Sequence, residues 1–286
     1  MSESRRAPVR APGPPIPREH GAWGLLLQPF AAAALLAGPG IGMLLPALLL
    51  IVLGFLMREP LLILARQRWL WREPNPQTPR AARWLLAELG GIALCLAALS
   101  SRVPLVTLAA LSGLALALTL AAVWFALKNR QRSVFLQLLS AAGLGSSALL
   151  VASLDTGWIP VWAWQLWGIL TLHAAVSILV VRSRLEGIAG RKASGSPGAR
   201  GAGKLSRAAL YAVFAQGAAA AMIFPVNFAL AAPPFFSAVM HGVERRRLGD
   251  PATLGEPLQR VGFRALGVSL IHMGLTVAAL WPAAKP

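Results

Sequence analysis

The chain predicts an all-α polytopic membrane bundle of about nine transmembrane helices, and three observations lead there. Hydrophobic residues make up 56% of the sequence and charged ones only 13%, with a mean hydropathy of +0.62. Apolar runs recur from residue 22 to residue 281, several near the length of about 20 residues that crosses roughly 30 Å of hydrocarbon. The net charge of +17 is spread unevenly, as expected when Lys and Arg collect in inner loops. That distribution accounts for the charge, so no nucleic-acid partner is implied.

Taken in order, residues 1–17 carry Arg5, Arg6 and Arg10 among five prolines and read as a disordered basic cytoplasmic tail. A basic start before an apolar run also fits a secretory signal. The leader is long and proline-rich, however, and the first run continues almost at once into a second, which favours a retained helix. Runs follow at about 22–38, 41–57, 84–100, 104–127, 134–153, 161–181, 208–224, 227–241 and 263–281. The weakest division is the seventh from the eighth, at Pro225 and Asn227, with Pro233 and Pro234 following. Nine spans with the N-terminus inside place 25 of the 27 Lys and Arg on one side, leaving Arg102 and Lys285 outside. Eight spans would move Arg245, Arg246 and Arg247 to the wrong face, so nine is favoured, with the C-terminus outside. Residues 18–281 thus form one transmembrane domain with a flexible basic cytoplasmic loop at 188–206 and a short tail at 282–286.

Trp158, Trp162, Trp164, Trp167 and Trp281 are expected to mark the outer interface, and Trp23, Trp69, Trp71, Trp84 and Trp124 the inner one. Outer connections are short and inner ones long, which directs attention to the inner face. One cysteine, Cys95, rules out a disulfide framework.

Several motifs reduce to ordinary uses. Gly198 through Lys204 fits G-x-x-x-x-G-K, but Leu205 stands where Ser or Thr must bind magnesium and no strand precedes it; no nucleotide motif is present. The small residues from Ala141 to Ala148 read as a helix-packing device. His20, His173, His241 and His272 show no ligand spacing, so hydrogen-bonded or interfacial roles are expected for each and no metal motif is assigned. Glu88, inside the third run, is expected to sit in a structural ion pair.

The sharper candidates are arginines at the inner border. Arg58, Glu59 and Arg66 follow the second run; Arg130 and Arg132 precede the fifth; Arg182 and Arg184 leave the sixth. Arginine grips phosphate-like anions bidentately, so these groups could hold an anionic head group, although each taken alone is ordinary inner-side charge. Arg18, Glu19, His20 and Trp23 would stand at the mouth of such a pocket.

The stretch Arg18-Glu19-His20-Gly21-Ala22-Trp23 resembles the opening motif of the YwiC-like bacterial membrane proteins. Arg58-Glu59-Pro60, Asn129-Arg130-Gln131-Arg132-Ser133, Val181-Arg182-Ser183 and Gly255-Glu256-Pro257-Leu258-Gln259-Arg260-Val261-Gly262 are also similar to that family. The resemblance implies a multi-pass protein of the bacterial cytoplasmic membrane and brings no defined activity with it. The nine-helix layout, with long inner connections after the second and sixth runs, also resembles UbiA-type prenyltransferases. That likeness implies aspartate-rich motifs holding magnesium at those connections. Here Arg58, Glu59, Arg66, Arg182, Arg184 and Glu186 stand there instead.

The sequence therefore supports three expectations. The first is a protein that binds an anionic, isoprenoid or quinone-type lipid in a cytoplasm-facing pocket, with a UbiA-like transferase as its enzymatic form. The second is a non-catalytic partner or assembly factor of a membrane complex. The third is a small-molecule transporter, for which the broken seventh and eighth runs are the relevant feature. The bilayer is the one partner common to all three, and the ligand, pathway and oligomeric state are not specified by sequence.

Overall fold

The computed structural model describes residues 20–130, 133–194, 204–247 and 256–285. Among them the regular elements are all α-helix, as composition and periodicity predict. In chain order they are α1 (His20–Ala37), α2 (Ile41–Leu56), α3 (Arg58–Trp69), α4 (Thr78–Leu99), α5 (Leu105–Leu127), α6 (Val134–Gly145), α7 (Ser147–Thr156), α8 (Val161–Ser194), α9 (Lys204–Ile223), α10 (Phe228–Arg247) and α11 (Leu258–Ala284). The expected tail at 1–17 lies outside the described residues. So does 195–203, the middle of the expected basic loop, while 188–194 and 204–206 are helical.

Two helix pairs are single runs broken for local reasons. Pro60 has no N–H to offer the Leu56 carbonyl four residues earlier, and α2 gives way to α3 at Met57. The second break is at Ser146, whose N–H turns to the Gly143 carbonyl. The Ala142 carbonyl instead accepts from the indole of Trp167, Nε1 to O 2.9 Å. A buried carbonyl without a donor is costly, so this bond stabilises the break. Trp167 is thus a structural residue inside the bundle, and Trp162 is buried as well. The expected outer belt keeps only Trp158, Trp164 and Trp281, which are exposed.

Among the described residues six helical stretches are long and apolar enough to cross a membrane: Ile41–Trp69, Thr78–Leu99, Leu105–Leu127, Val134–Thr156, Val161–Ala189 and Gln259–Ala284; Gly21–Ala37 is apolar but shorter. The chain is an integral membrane protein. α8 continues past the expected border at Val181 to Ser194. Its 34 residues reach about 51 Å, longer than the hydrocarbon layer, so one end projects beyond it.

α1 is the hub, packed on α7 and α11 and also on α6 and α8. Every residue of α7 from Ser147 to Leu154 is buried, and Ser147 Oγ donates to the Leu26 carbonyl of α1 at 3.0 Å. Around this pair Leu36, Leu99, Leu149, Val151, Leu166 and Leu280 form an apolar core. Small residues admit the close approach: a Cβ on Gly143 would collide with the Leu118 side chain of α5. The run from Ala141 to Ala148 is the packing device it was expected to be. α7 ends at Gly157 with φ +74°, a conformation suited to glycine, where a side chain would also press on the Arg102 carbonyl at 3.2 Å.

Gly143→Leu is expected to destabilise the bundle by about 1–3 kcal/mol through overpacking. Gly113→Leu, where a Cβ meets open space, should leave thermal unfolding in detergent unchanged. Equal effects at both positions would contradict the packing described here.

Candidate functional site

The residues singled out from sequence are scattered over several elements. Glu59 stands in the first turn of α3 and Arg66 in its last, where each charge complements the helix dipole. Arg58 opens that helix, half-buried. α3 packs on α4 and α5, whereas α8 packs on α6, α9, α10 and α11. Arg130 is exposed just beyond α5; Arg18, Glu19 and Arg132 lie outside the described residues. His20 opens α1, with its side chain undescribed. Trp23 packs edge-on against Phe55, ring centroids 5.0 Å apart, and so joins α1 to α2. Arg182 Nε donates to Gln137 Oε1 on α6 at 2.8 Å.

Arg184 has a different setting. Its side chain is only 2% exposed, with Nη1 3.2 Å from Glu244 Oε1 and Nη2 3.9 Å from Glu256 Oε2. Arg264 closes the group. Its Nη2 lies 3.2 Å from Glu244 Oε1 and donates to Glu256 Oε2 at 2.9 Å, while Nη1 bonds Glu256 Oε1. Two cations and two carboxylates from α8, α10 and the start of α11 form one neutral cluster. A cation this buried is tolerated only with its counter-charges in place. The hydrogen bond from Arg264, followed by the positive charges of Arg264, Arg184 and Arg247, holds the Glu256 carboxyl below its ordinary range.

The Glu88 expectation is corrected. The side chain is buried on α4, yet it forms no ion pair among the described residues and its Oε2 meets no donor. Arg83, the nearest cation on the same helix, is exposed.

The principal polar feature is one the sequence concealed. His173 of α8, His241 of α10 and His272 of α11 are all buried. Their rings stack. His173 lies between the other two, 4.3 Å from His272 with planes 17° apart, and 5.0 Å from His241 at 23°. His173 follows Val161 by twelve residues, His241 follows Phe228 by thirteen, and His272 precedes Ala284 by twelve. At 1.5 Å per residue each ring sits about 18–20 Å along its helix, from the start of α8 and of α10 and from the end of the oppositely running α11, so the stack is one layer at mid-depth.

Serines and an amide connect the layer. His173 Nδ1 is 2.5 Å from Ser237 Oγ, and its Nε2 is 2.9 Å from Ser269 Oγ. His241 Nε2 is 2.8 Å from Ser177 Oγ, and Nδ1 is 3.1 Å from Gln216 Oε1 and 3.4 Å from Ser237 Oγ. His272 Nδ1 donates to the Pro233 carbonyl at 3.0 Å. The result is a chain Ser269–His173–Ser237–His241–Ser177 that crosses the bundle. A hydroxyl both donates and accepts, so either neutral tautomer of His173 is served. The rings lie face to face, and among the described residues no group of three His, Cys, Asp or Glu converges as metal ligands would. Each of these three histidines is hydrogen-bonded, as expected from sequence.

What sequence reading missed was that they meet. A signal existed: His173 and His272 fall at the middle of their apolar runs, where a polar group is expensive and therefore informative. His241 fell at the end of its run only because that run was cut short of Arg247. At the opposite end of the bundle, an open cavity of about 310 Å3 is lined by Pro39, Gly40, Gly42, Met43, Arg102, Leu154 and Asp155.

Two outcomes follow from the charge cluster. Arg184→Ala should cost about 1.5–3 kcal/mol by removing charge-assisted contacts to the part-exposed Glu244 and Glu256, whereas Arg130→Ala, at an exposed position, should cost under about 0.5 kcal/mol; chemical unfolding in detergent compares them. Because Glu256 titrates below its unfolded value near 4.3, its contribution is present above that pH and lost as pH falls through the folded value. Acid should therefore lower the melting temperature less steeply in Glu256→Gln than in the parent, and identical slopes would remove Glu256 from the cluster's energetics.

No curated protein and no solved structure matches the chain. The model of one family, described as YwiC-like protein, matches residues 16–153. That stretch runs from the opening Arg-Glu-His-Gly-Ala-Trp motif to within α7, and the histidine layer lies wholly beyond it. Over residues 16–153 the chain is similar to the YwiC-like family.

Proposed function

We propose that this integral membrane protein is a proton-coupled carrier whose proton site is the histidine layer of α8, α10 and α11. The observation that carries the reading is the chain Ser269–His173–Ser237–His241–Ser177, buried at mid-depth. Packing alone gives no reason to place three imidazoles and three hydroxyls there, since apolar side chains fill such space without desolvation cost. Two imidazolium rings 4.3 Å apart would repel, so the layer suits one excess proton. That proton moves by N–H and O–H exchange along the chain. When a serine hydroxyl gives its proton to one His173 nitrogen, the opposite N–H passes on to the other serine.

The chain runs across the bundle and is not a wire through it. Apolar core lies on one side and the Arg184 cluster on the other, which suits an occluded site of the alternating-access kind. The arginine-rich ends would face the cytoplasm in this reading.

A second reading is a lipid or quinone head group held by Arg58, Arg66, Arg130 and Arg182. It is favoured by the continuous packing α3–α5–α6–α8 along which those residues lie. A stoichiometric lipid retained through purification and lost in Arg58→Ala and Arg182→Ala would support it.

The test of the carrier reading is proton movement. Proteoliposomes containing a pH-sensitive dye, under a valinomycin-set potassium potential, should show protein-dependent proton uptake. Ser237→Ala and His173→Phe should lower it about tenfold or more at equal incorporation. In 15N-histidine spectra in bilayers the parent's three rings should titrate as one coupled set, which Ser237→Ala separates. Independent titration in the parent, or equal flux in all three proteins, would sink the reading.

A further inference from the structure

Glu88 is a carboxyl group 6% exposed in a membrane-length helix, and the packing of α4 directs it at a weak point of its neighbour. Ala81, Glu88 and Cys95 recur every seven residues and are buried together, one narrow seam of the helix. α4 packs on α2 and α3, and two contacts fix the register of that hairpin. At one end a Cβ on Gly91, which shares a face with Glu88, would meet Leu53 Cδ1 at 2.8 Å. At the other, Thr78 Oγ1 donates to Gln67 Oε1 at 2.9 Å. Counted from either contact along the antiparallel helices, Glu88 stands opposite Leu56 and Met57. That is the break between α2 and α3, where Pro60 offers no N–H to the Leu56 carbonyl.

We propose that Glu88 is a proton-binding site, held as a carboxylic acid whose O–H is donated to the Leu56 carbonyl. Its Oε2 is buried and meets no donor among the described residues, which suits an O–H that must itself donate and does not suit an anion. A proton there gives the break the donor that Pro60 withholds, and it removes a charge that hydrocarbon makes expensive. When the proton leaves, carboxylate and carbonyl are two acceptors with no donor between them, and the junction opens towards water. The site is separate from the histidine layer, since α2, α3 and α4 carry no histidine, and it stands whether or not that layer moves protons.

The surroundings point to a proton as the ligand. α2 carries no titratable group and no side-chain oxygen. α3 carries Arg58, Glu59, Arg66 and Arg68, and α4 itself carries Arg80, Arg83 and Cys95. Among the described residues no cation forms an ion pair with Glu88, and Arg58 and Arg80 have contacts of their own. A metal cation would find the two carboxylate oxygens and the Leu56 carbonyl, well short of the roughly six oxygens that hard cations take. One proton satisfies the carboxyl and the carbonyl together.

The intact protein in lipid nanodiscs is treated with dicyclohexylcarbodiimide, a lipid-soluble reagent that consumes a protonated carboxyl. The acid's proton moves to a carbodiimide nitrogen as a carboxylate oxygen adds to the central carbon, and no atom leaves. Peptide mass spectrometry should find Glu88 modified at least about tenfold more than the exposed Glu73 and Asp155, because a charge at such depth costs more than the equivalent of a factor of ten. A water-soluble carbodiimide should reverse that order. In infrared spectra at neutral pH a protonated-carboxyl C=O band should be present in the parent and lost in Glu88→Gln, whose amide keeps a donor for the same carbonyl. In Pro60→Ala a backbone N–H takes over the Leu56 carbonyl, and the Glu88 band should shift to higher frequency. Glu88 labelled no more than Glu73 and Asp155, or a band that persists unchanged in Glu88→Gln, overturns the proton site. A band unmoved in Pro60→Ala overturns the Leu56 partnership.

Discussion

A bilayer offers no hydrogen-bond partner to a polar group, and the organisation of this molecule follows from that constraint. Backbone groups satisfy it by forming helices throughout. Where a helix must break, a side chain takes over, as Trp167 does for the Ala142 carbonyl. The histidines satisfy it collectively. None of the three has enough partners on its own helix, so α8, α10 and α11 must come together in one register for all to be served. The polar layer thereby fixes how these helices are set against one another, a specification that apolar packing alone leaves loose.

The two parts of the chain solve their packing differently. Around α1 and α7 the contacts are Leu, Ala, Val and Gly, with approach distance set by the absence of side chains at positions such as Gly143. Around α8 to α11 the inward faces carry Ser177, Ser237, His241, Gln216, Ser269 and His272. These residues also keep α9 and α10 from being as apolar as the other membrane-length helices. The family match covers the apolar part and stops within α7. The feature most suited to chemistry lies in the stretch beyond it.

Charge is divided on the same principle. Residues on the projecting ends, such as Arg66, Arg68 and Arg130, need no fixed partner because water is within reach. Arg184 is too deeply buried for that and is surrounded by Glu244 and Glu256. Together with Arg264 these residues join α8, α10 and the start of α11 through ion pairs.

Much of this was legible in the residues. Composition and run length determine an all-helical membrane protein, Pro60 determines the break before α3, and the small residues at 141–148 determine a close helix contact. These are local properties or sums over local properties, and a sequence states them directly. The belt assignment of Trp162 and Trp167, the ion pair for Glu88 and the isolation of the histidines failed because each depends on what lies across a helix interface. Residues 173, 241 and 272 are 68 and 31 positions apart in the chain, and no spacing rule links them. Only the packing of α8, α10 and α11 at a common depth brings their rings within stacking distance. Only the side-to-side contact of those helices turns Arg184, Glu244, Glu256 and Arg264 from scattered inner-side charges into one cluster.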